Sequence, residues 1–276
     1  MELLTKFLSW LIGLFLVLVL FFILGDIIFI SMDKISLDFL IESPSSAGRA
    51  GGIFPIIIST LLILLVAIIV TFPIGLASAL YLSEYGLKKN RYVKIVRKAV
   101  EILSSVPSIV YGLFGNALFS IYFGLGFSIL SGGLTLALMS LPLFITTVEK
   151  GLSSVPTKYR LVGMSLNMSR FTMVMTIFIP YALPSIIVGL ILSIGRSLAE
   201  TAALIFTSGY VDRMPESVFD SGRSLSIHIY DLSMNVPGGD TNAYKTSFVL
   251  IMLILLLNSS TSFLLGGWYK KRIAIK

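Results

Sequence analysis

The chain has 276 residues, of which 56% are hydrophobic and only 13% are charged, and its formal net charge is +7 at pH 7. An ordinary soluble domain has about 25% charged residues, so this composition excludes a water-soluble fold and indicates a lipid bilayer as the solvent. The chain contains no cysteine and a single histidine, His228, which excludes disulfides, thiolate metal sites and histidine metal clusters. We therefore expect no metal, no cofactor and no catalytic residue, and we expect His228 to be a surface residue of a polar loop.

Six long apolar segments predict an all-α, polytopic membrane protein that forms one transmembrane domain over residues 1–276. Backbone polar groups in lipid must be satisfied within each segment, so these spans are expected to be helices rather than strands. The predicted spans, in chain order, are residues 7–30, 53–83, 99–123, 128–148, 179–207 and 246–268.

The first segment is expected to be a retained span rather than a cleaved signal peptide. Residues 7–25 form an uncharged run of 19, which is longer than the apolar core of about 7–15 residues in a signal peptide. The uncharged run of 47 residues at 102–148 is too long for one crossing at about 1.5 Å per residue, so we expect two crossings. We expect the turn between them at a set of four glycines, Gly124, Gly126, Gly132 and Gly133.

The distribution of lysine and arginine predicts the orientation of the spans. With the N-terminus in the cytoplasm, the inner segments carry 15 basic residues and the outer segments carry 5. This excess follows the positive-inside rule and predicts that both termini are cytoplasmic. The basic clusters lack interleaved aromatics and a soluble face, so membrane lipid rather than nucleic acid is the expected partner.

Two connections are long enough to have roles of their own. The outer segment at 208–245 is polar and rich in Gly, Pro, Asp and Ser, which fits either a docking loop or a flexible solvated loop. In the cytoplasmic segment at 149–178, Pro156 suits the start of a helix. The residues of that helix expected to form one apolar stripe are Tyr159, Val162, Gly163 and Leu166. Such a helix can lie on the lipid surface or fill a groove of a soluble partner, and the residues alone do not decide between the two.

The end of this short helix carries a resemblance to a known family. Asn167, a residue that tolerates the left-handed conformation, is followed by nine residues and then Ile177, Phe178, Ile179 and Pro180. This stretch resembles the coupling segment of ABC-importer permeases. In that segment an acidic-Ala-Ala triplet is followed by three residues and a glycine. Nine further residues then precede an isoleucine, one residue and Leu-Pro. Residues 161–163 depart from the triplet, and Asn167 replaces the glycine.

Other stretches resemble one branch of that family, the A-type subunits of phosphate-importer permeases. They are FPIGLASALYLSEYG at 72–86, VPSIVYGLFG at 106–115, GRSLAETAALIFTSG at 195–209 and SLSIHIYDLS at 224–233. The resemblance implies a type I importer permease in the cytoplasmic (inner) membrane that moves inorganic phosphate.

The family also implies the partners of this chain. They are a companion permease in a heterodimer, two cytoplasmic ATPase subunits and an external phosphate-binding protein. The ATPase contact is expected at Tyr159, Arg160, Val162, Gly163, Leu166 and Asn167. The chain has no G-x-x-x-x-G-K-[ST] motif of its own, so ATP hydrolysis is expected on another subunit.

Arg196 and Glu200 are the charged residues expected deep within a span. Their spacing of four predicts one helical face and a mutual ion pair. The pair can be a structural clamp or a station for a permeating anion, and the cost of placing charge in the membrane favours the second. Arginine is also shaped for bidentate contact with phosphate.

Ser104, Ser108 and Tyr111, near Pro107, are further candidates for a polar path. Small hydroxyl residues in membrane helices also serve as packing and hydrogen-bonding groups. The rival functions are an ABC permease for another oxyanion, such as sulfate or molybdate, a self-sufficient secondary transporter and a membrane scaffold without transport. The sequence shows no repeated broken segment that matches the one around Arg196, which argues against the secondary transporter.

Overall fold

The computed structural model describes residues 2–32, 34–85 and 91–273, and nearly all regular structure in this part of the chain is helical. The long helices are α1 (Glu2–Met32), α3 (Phe54–Tyr85), α6 (Ile129–Ser153), α9 (Ile179–Leu198) and α12 (Asp240–Ile273). The shorter helices are α2 (Leu37–Ile41), α4 (Arg91–Ser105), α5 (Ser108–Gly115), α7 (Thr157–Ser165), α8 (Arg170–Met173), α10 (Ala202–Ile205) and α11 (Leu225–Met234). One small hairpin joins β1 (Pro44–Ser45) to β2 (Ala50–Gly51).

Five segments within the described residues are long and apolar enough to cross a membrane, and the bent pair α4–α5 makes a sixth if it counts as one span. The all-α, polytopic fold predicted from the sequence is therefore confirmed. Lys88, Lys89 and Lys276, which contribute to the inner charge count, lie outside the described residues.

Helix α6 is the centre of the bundle and packs along most of its length against α3 and α9. Its buried side chains, which include Leu136, Met139 and Phe144, join clusters at both ends of the molecule. Gly124 and Gly126 lie in the turn before α6 with φ values of 69° and 62°, a conformation that glycine adopts without strain. Gly132 and Gly133 lie within α6 instead.

The segment predicted as one span at 99–123 is two helices. Helices α4 and α5 meet at an angle of 104°, and a π-helix at Asn116–Tyr122 continues α5. Pro107 is the physical cause, because a proline disfavours the helical conformation in the residue before it. Pro107 was a candidate for a kink from the sequence, but an uncharged run records apolarity and not direction, so the angle was not predicted.

The outer segment at 208–245 is ordered and contributes residues 222–228 to the buried interior. It contains α11, in which Leu225, Ile227 and Leu232 are fully buried, and α12 begins at Asp240 rather than near residue 246. His228 is also fully buried, so the expectation that it lies on the surface is wrong. Its hydrophobic neighbours at i−1 and i+4 carry that face of α11 into the core.

Candidate transport and coupling sites

Helix α9 ends near half the depth of the bundle. Ser197, in its last turn, bonds Ser140 at an Oγ–Oγ distance of 3.0 Å, and Ser140 lies near the middle of α6. The backbone then leaves the helix through residues 199–201 before α10 begins. Non-helical backbone at membrane depth is tolerated where it is buried in protein or lines a polar cavity. Ala199 is exposed in this chain, so the break lies at the surface of this chain.

Arg196 lies in the last turn of α9, directly before this break, and its side chain is exposed. Among the residues that the structure describes, no carboxylate lies within 4.0 Å of its guanidinium group. The carbonyl end of α9 favours a positive charge at this position. The predicted ion pair between Arg196 and Glu200 is therefore wrong.

Glu200 has a different partner because the helix ends before it. Its Oε1 accepts a hydrogen bond of 3.1 Å from the backbone N–H of Ala203, at the start of α10. Its carbonyl oxygen accepts a bond of 2.6 Å from the Ser226 hydroxyl of α11. The i, i+4 geometry that would have paired it with Arg196 exists only in a continuous helix. Glu200 thus holds the break in shape and leaves Arg196 unneutralised.

The bend between α4 and α5 lies beside the break after α9. The buried Tyr111 donates its hydroxyl hydrogen to the carbonyl of Leu103, across the bend, at 2.8 Å. The Arg196 guanidinium is close enough to this phenol to interact with it electrostatically. Gly112 lets α5 approach α10, because a Cβ atom there would lie 2.7 Å from the Ala203 Cα atom. The structure therefore brings Tyr111, Arg196 and Glu200 into one region.

Ser104 and Ser108 flank the same bend without joining Arg196. The exposed Ser104 hydroxyl donates to the Glu101 carbonyl at 2.7 Å, which is a local helical bond. Ser108 is half-buried at the first position of α5. Within the described residues no hydrogen bond links either serine to Arg196. Their place in a polar path remains a prediction.

Helix α7 ends in a motif that fixes its direction. Asn167 has a φ of 50°, the left-handed conformation expected from the sequence. The Met168 N–H bonds the Gly163 carbonyl and the Asn167 N–H bonds the Met164 carbonyl, both at 3.0 Å, which is a Schellman ending. Ser169 then caps α8 by accepting from the Thr172 N–H at 3.1 Å, so the chain turns directly into the next span.

The six residues expected to contact an ATPase divide into two groups. Tyr159, Val162 and Leu166 are exposed, by 40%, 53% and 68%. Gly163 instead faces inward, where a Cβ atom would lie 3.1 Å from the Met173 side chain. The predicted single stripe is therefore wrong, because Gly163 belongs to the buried side of α7 and the apolar outer surface also includes Leu161 and Met164.

Arg160 also points towards the bundle. It pairs with Glu84, at the end of α3, with a hydrogen bond of 2.9 Å, and its guanidinium group lies 4.6 Å from the ring centroid of Phe178. Cation–π contact and the ion pair together hold α7 against the span ends. Arg160 therefore fixes the position of α7 against the bundle.

A buried cluster in the outer segment was missed by the sequence analysis. Arg223 bonds the Tyr210 carbonyl at 2.8 Å, Asp231 at 3.1 Å and His228 Nδ1 at 3.2 Å. Since arginine only donates, His228 Nδ1 accepts and its proton lies on Nε2, which has no partner among the described residues. Burial and the adjacent Arg223 charge lower the pKa of His228 to about 3. The spacing of His228 and Asp231 on one helical face was the available signal.

The described residues contain no group of three or more His, Cys, Asp or Glu side chains that could hold a metal ion. The arrangement at the two helix breaks offers a fixed positive charge, a phenol and backbone dipoles. Such groups can bind an anion through charge and hydrogen bonding.

Three comparisons with known proteins bear on these sites. Residues 71–274 match the family described as binding-protein-dependent transport system inner membrane component. The probable ABC transporter permease protein YqgI of Bacillus subtilis is 31% identical over 263 residues, covering 90% of this chain and 89% of its own. The phosphate transport system permease protein PstA 2 of Mycobacterium bovis is 32% identical over 215 residues, covering 77% and 71%.

Solved structures show the same architecture. The inward-facing MetNI methionine ABC transporter matches with a TM-score of 0.64 at 17% identity, covering 78% of this chain and 95% of that one. A bacterial ABC transporter involved in the import of alginate also matches with a TM-score of 0.64, at 16% identity, covering 92% and 96%. At these identities the likeness shows the fold alone, which is that of an ABC-importer permease.

Proposed function

The chain belongs to the family of binding-protein-dependent transport system inner membrane components, and we propose that it is the permease subunit of an ATP-driven importer of inorganic phosphate. The proposal that phosphate is the substrate rests on the 32% identity to a phosphate permease over 77% of this chain. As a member of this family the chain is a multi-pass membrane transport subunit. The phosphate path, the partners and the orientation are the proposed parts.

Arg196 is the proposed contact for the anion. Arg196 lies within the candidate membrane span Arg170–Leu198, and an exposed guanidinium group deep in a span cannot face lipid without a cost of at least about 2.5 kcal/mol on insertion scales. It must therefore face a polar cavity or another protein. A phosphate ion that has lost its hydration needs a counter-charge at this depth, and the planar fork of arginine matches two phosphate oxygens.

The path itself is proposed to run between this chain and a companion permease. Arg196, Ser104 and the break after α9 are exposed on this chain alone, so a second subunit is needed to enclose them. Glu200 is held in place by α10 and α11, which means that it cannot neutralise Arg196. The attraction for phosphate must then be moderated by solvation or by the companion subunit, since a channel must also release its ion.

Helix α7 is the proposed contact for a cytoplasmic ATPase, of which the assembled importer would hold two copies. Its outer surface is apolar and exposed, while Arg160 and Gly163 fix it against the bundle. The helix-in-groove mode suits such a rigid, apolar surface. An external phosphate-binding protein would dock at the opposite end, where the ordered outer segment carries α11.

Reconstitution of the complete importer tests this function. The purified complex in proteoliposomes should accumulate phosphate only with ATP and binding protein present, and excess sulfate or molybdate should not compete. Competition by sulfate or molybdate at equal concentration would indicate a permease for another oxyanion. Accumulation by this chain alone, driven by an ion gradient, would identify a secondary transporter and contradict the proposal.

A further inference from the structure

Helix α4 has three distinct faces. Its core face is formed by Val93, Val96 and Val100, at i, i+3 and i+7, and packs into the cluster that also holds α8 and the end of α6. The two remaining faces of this helix are exposed, and they differ in chemistry.

The first exposed face of α4 is apolar. Ile95 and Ile102 are 56% and 58% exposed, and Ala99 between them is exposed as well. These positions at i, i+4 and i+7 form one stripe. In a soluble protein such a stripe would need a covering element, whereas beside a bilayer it can enter the acyl region.

The second exposed face of α4 is basic. Arg91, Lys94 and Lys98, at i, i+3 and i+7, are all exposed, and within the described residues none has a carboxylate within 4.0 Å. Arg97, on the border of this face, is instead paired with Glu149 of α6. Glu101, at i+3 from Lys98, is exposed at the edge of this face, so the face presents three positive charges beside one carboxylate and is basic overall.

The direction of α4 suits a helix that lies in the plane of a membrane surface. The helix turns by 104° from the α5 segment, which enters the bundle, so α4 lies across the end of the molecule rather than along its spans. This end also carries α7, the helix proposed to meet the cytoplasmic ATPase. A helix in the plane of the interface, with one apolar and one basic face, has the form of an interfacial membrane anchor.

We propose that α4 is an interfacial helix whose basic face binds the headgroups of anionic phospholipids at the cytoplasmic surface, while Ile95 and Ile102 enter the acyl region. Charge complementarity identifies the partner, because the cytoplasmic leaflet carries a negative surface potential that attracts lysine and arginine. The orientation rests on the proposed function. The lipid contact also reaches the transport site, because Leu103 in the last turns of α4 accepts the hydrogen bond from Tyr111 beside Arg196.

The depth of α4 is tested with single cysteines, since the chain contains none of its own. A fluorophore at Ile95→Cys in the assembled complex should be quenched strongly by phospholipids that carry a nitroxide high on the acyl chain. The same fluorophore at the neighbouring Lys94→Cys is the matched control and should be quenched much less. Weak quenching at both positions would overturn the interfacial placement.

The preference for anionic lipid is tested by native mass spectrometry of the purified complex. The measurement compares how much phosphatidylglycerol and how much phosphatidylcholine remain bound. The variant Lys94→Gln/Lys98→Gln should lose about fivefold in preference for phosphatidylglycerol per charge removed. Arg213→Gln, which removes an exposed basic residue of the outer segment, should retain the preference. Equal preference in the wild type and the double variant would refute the headgroup site. Neither measurement involves phosphate, so a negative result in either would not contradict the proposed function. A failure of phosphate transport in the reconstituted importer would likewise not contradict lipid binding by α4.

Discussion

Arg196 is the residue on which the transport proposal can be tested most directly. Arg196→Gln removes the charge and should reduce phosphate uptake about 10- to 100-fold, because a hydrogen bond to a charged group is worth about 1.5–3 kcal/mol. Uptake by Arg196→Lys should fall between that of Arg196→Gln and that of the wild type, because the point charge of lysine does not reproduce the planar fork of arginine. Uptake is measured in proteoliposomes at matched amounts of assembled complex.

Arg213→Gln is the control for this series, because Arg213 is an exposed arginine of the outer segment. Its loss should leave uptake unchanged. Glu200→Gln should also be mild, since the amide oxygen can still accept from the Ala203 N–H that the carboxylate now binds. Normal phosphate uptake by a well-assembled Arg196→Gln complex would show that Arg196 does not contact the anion.

His228 predicts a pH dependence for the outer segment. Its pKa is about 3 in the folded chain and about 6.5 when unfolded, so the unfolded state binds more protons in this interval. Stability is therefore greatest above pH 6.5 and falls as the pH drops towards 3, by up to about 1.4 kcal/mol per pH unit. The protection factors of the amides in Leu225–Met234, which are corrected for the pH dependence of intrinsic exchange, should fall between pH 7 and pH 5. His228→Gln, which cannot titrate, should reduce this fall, and an unchanged pH response would contradict the assignment to His228.

At the scale of the element, α7 is a preformed surface whose ending is fixed by its own backbone. Val162→Glu should weaken ATPase association at least about tenfold, because an uncompensated carboxylate would be buried at the contact. Val162→Ala, which keeps the surface apolar and uncharged, should retain association. Recovery of the ATPase with each variant in affinity purification measures the effect. Equal recovery with Val162→Glu and with the wild type would favour a helix that lies on lipid.

At the scale of the whole molecule, the 15 to 5 excess of basic residues predicts the orientation of the bundle. Asn235→Cys, in the outer segment, should react with a membrane-impermeant thiol reagent added outside intact cells. Ser153→Cys, at the end of α6 beside α7, should react only after the membrane is opened. The reverse pattern would invert the topology and place α4 and α7 outside the cell.

The sequence by itself determined the features that depend on composition and on strictly local geometry. Apolar runs of sufficient length required helices in a membrane, whatever their packing. The left-handed turn at Asn167 was predictable because it depends on one residue type and the ending of one short helix. The membership in a permease family was likewise visible in contiguous motifs.

Only the tertiary structure decided where helices stop inside an apolar segment and what polar side chains meet there. The pairing of Arg196 with Glu200 failed because α9 ends between them and Glu200 finds the backbone of α10 instead. The burial of His228 depended on α11 packing into the core and on Arg223, five residues earlier, which bonds it. A local pattern records which residues share a face only while the helix continues. The bend at Pro107 and the break after Leu198 interrupt that periodicity at the places where the proposed path runs.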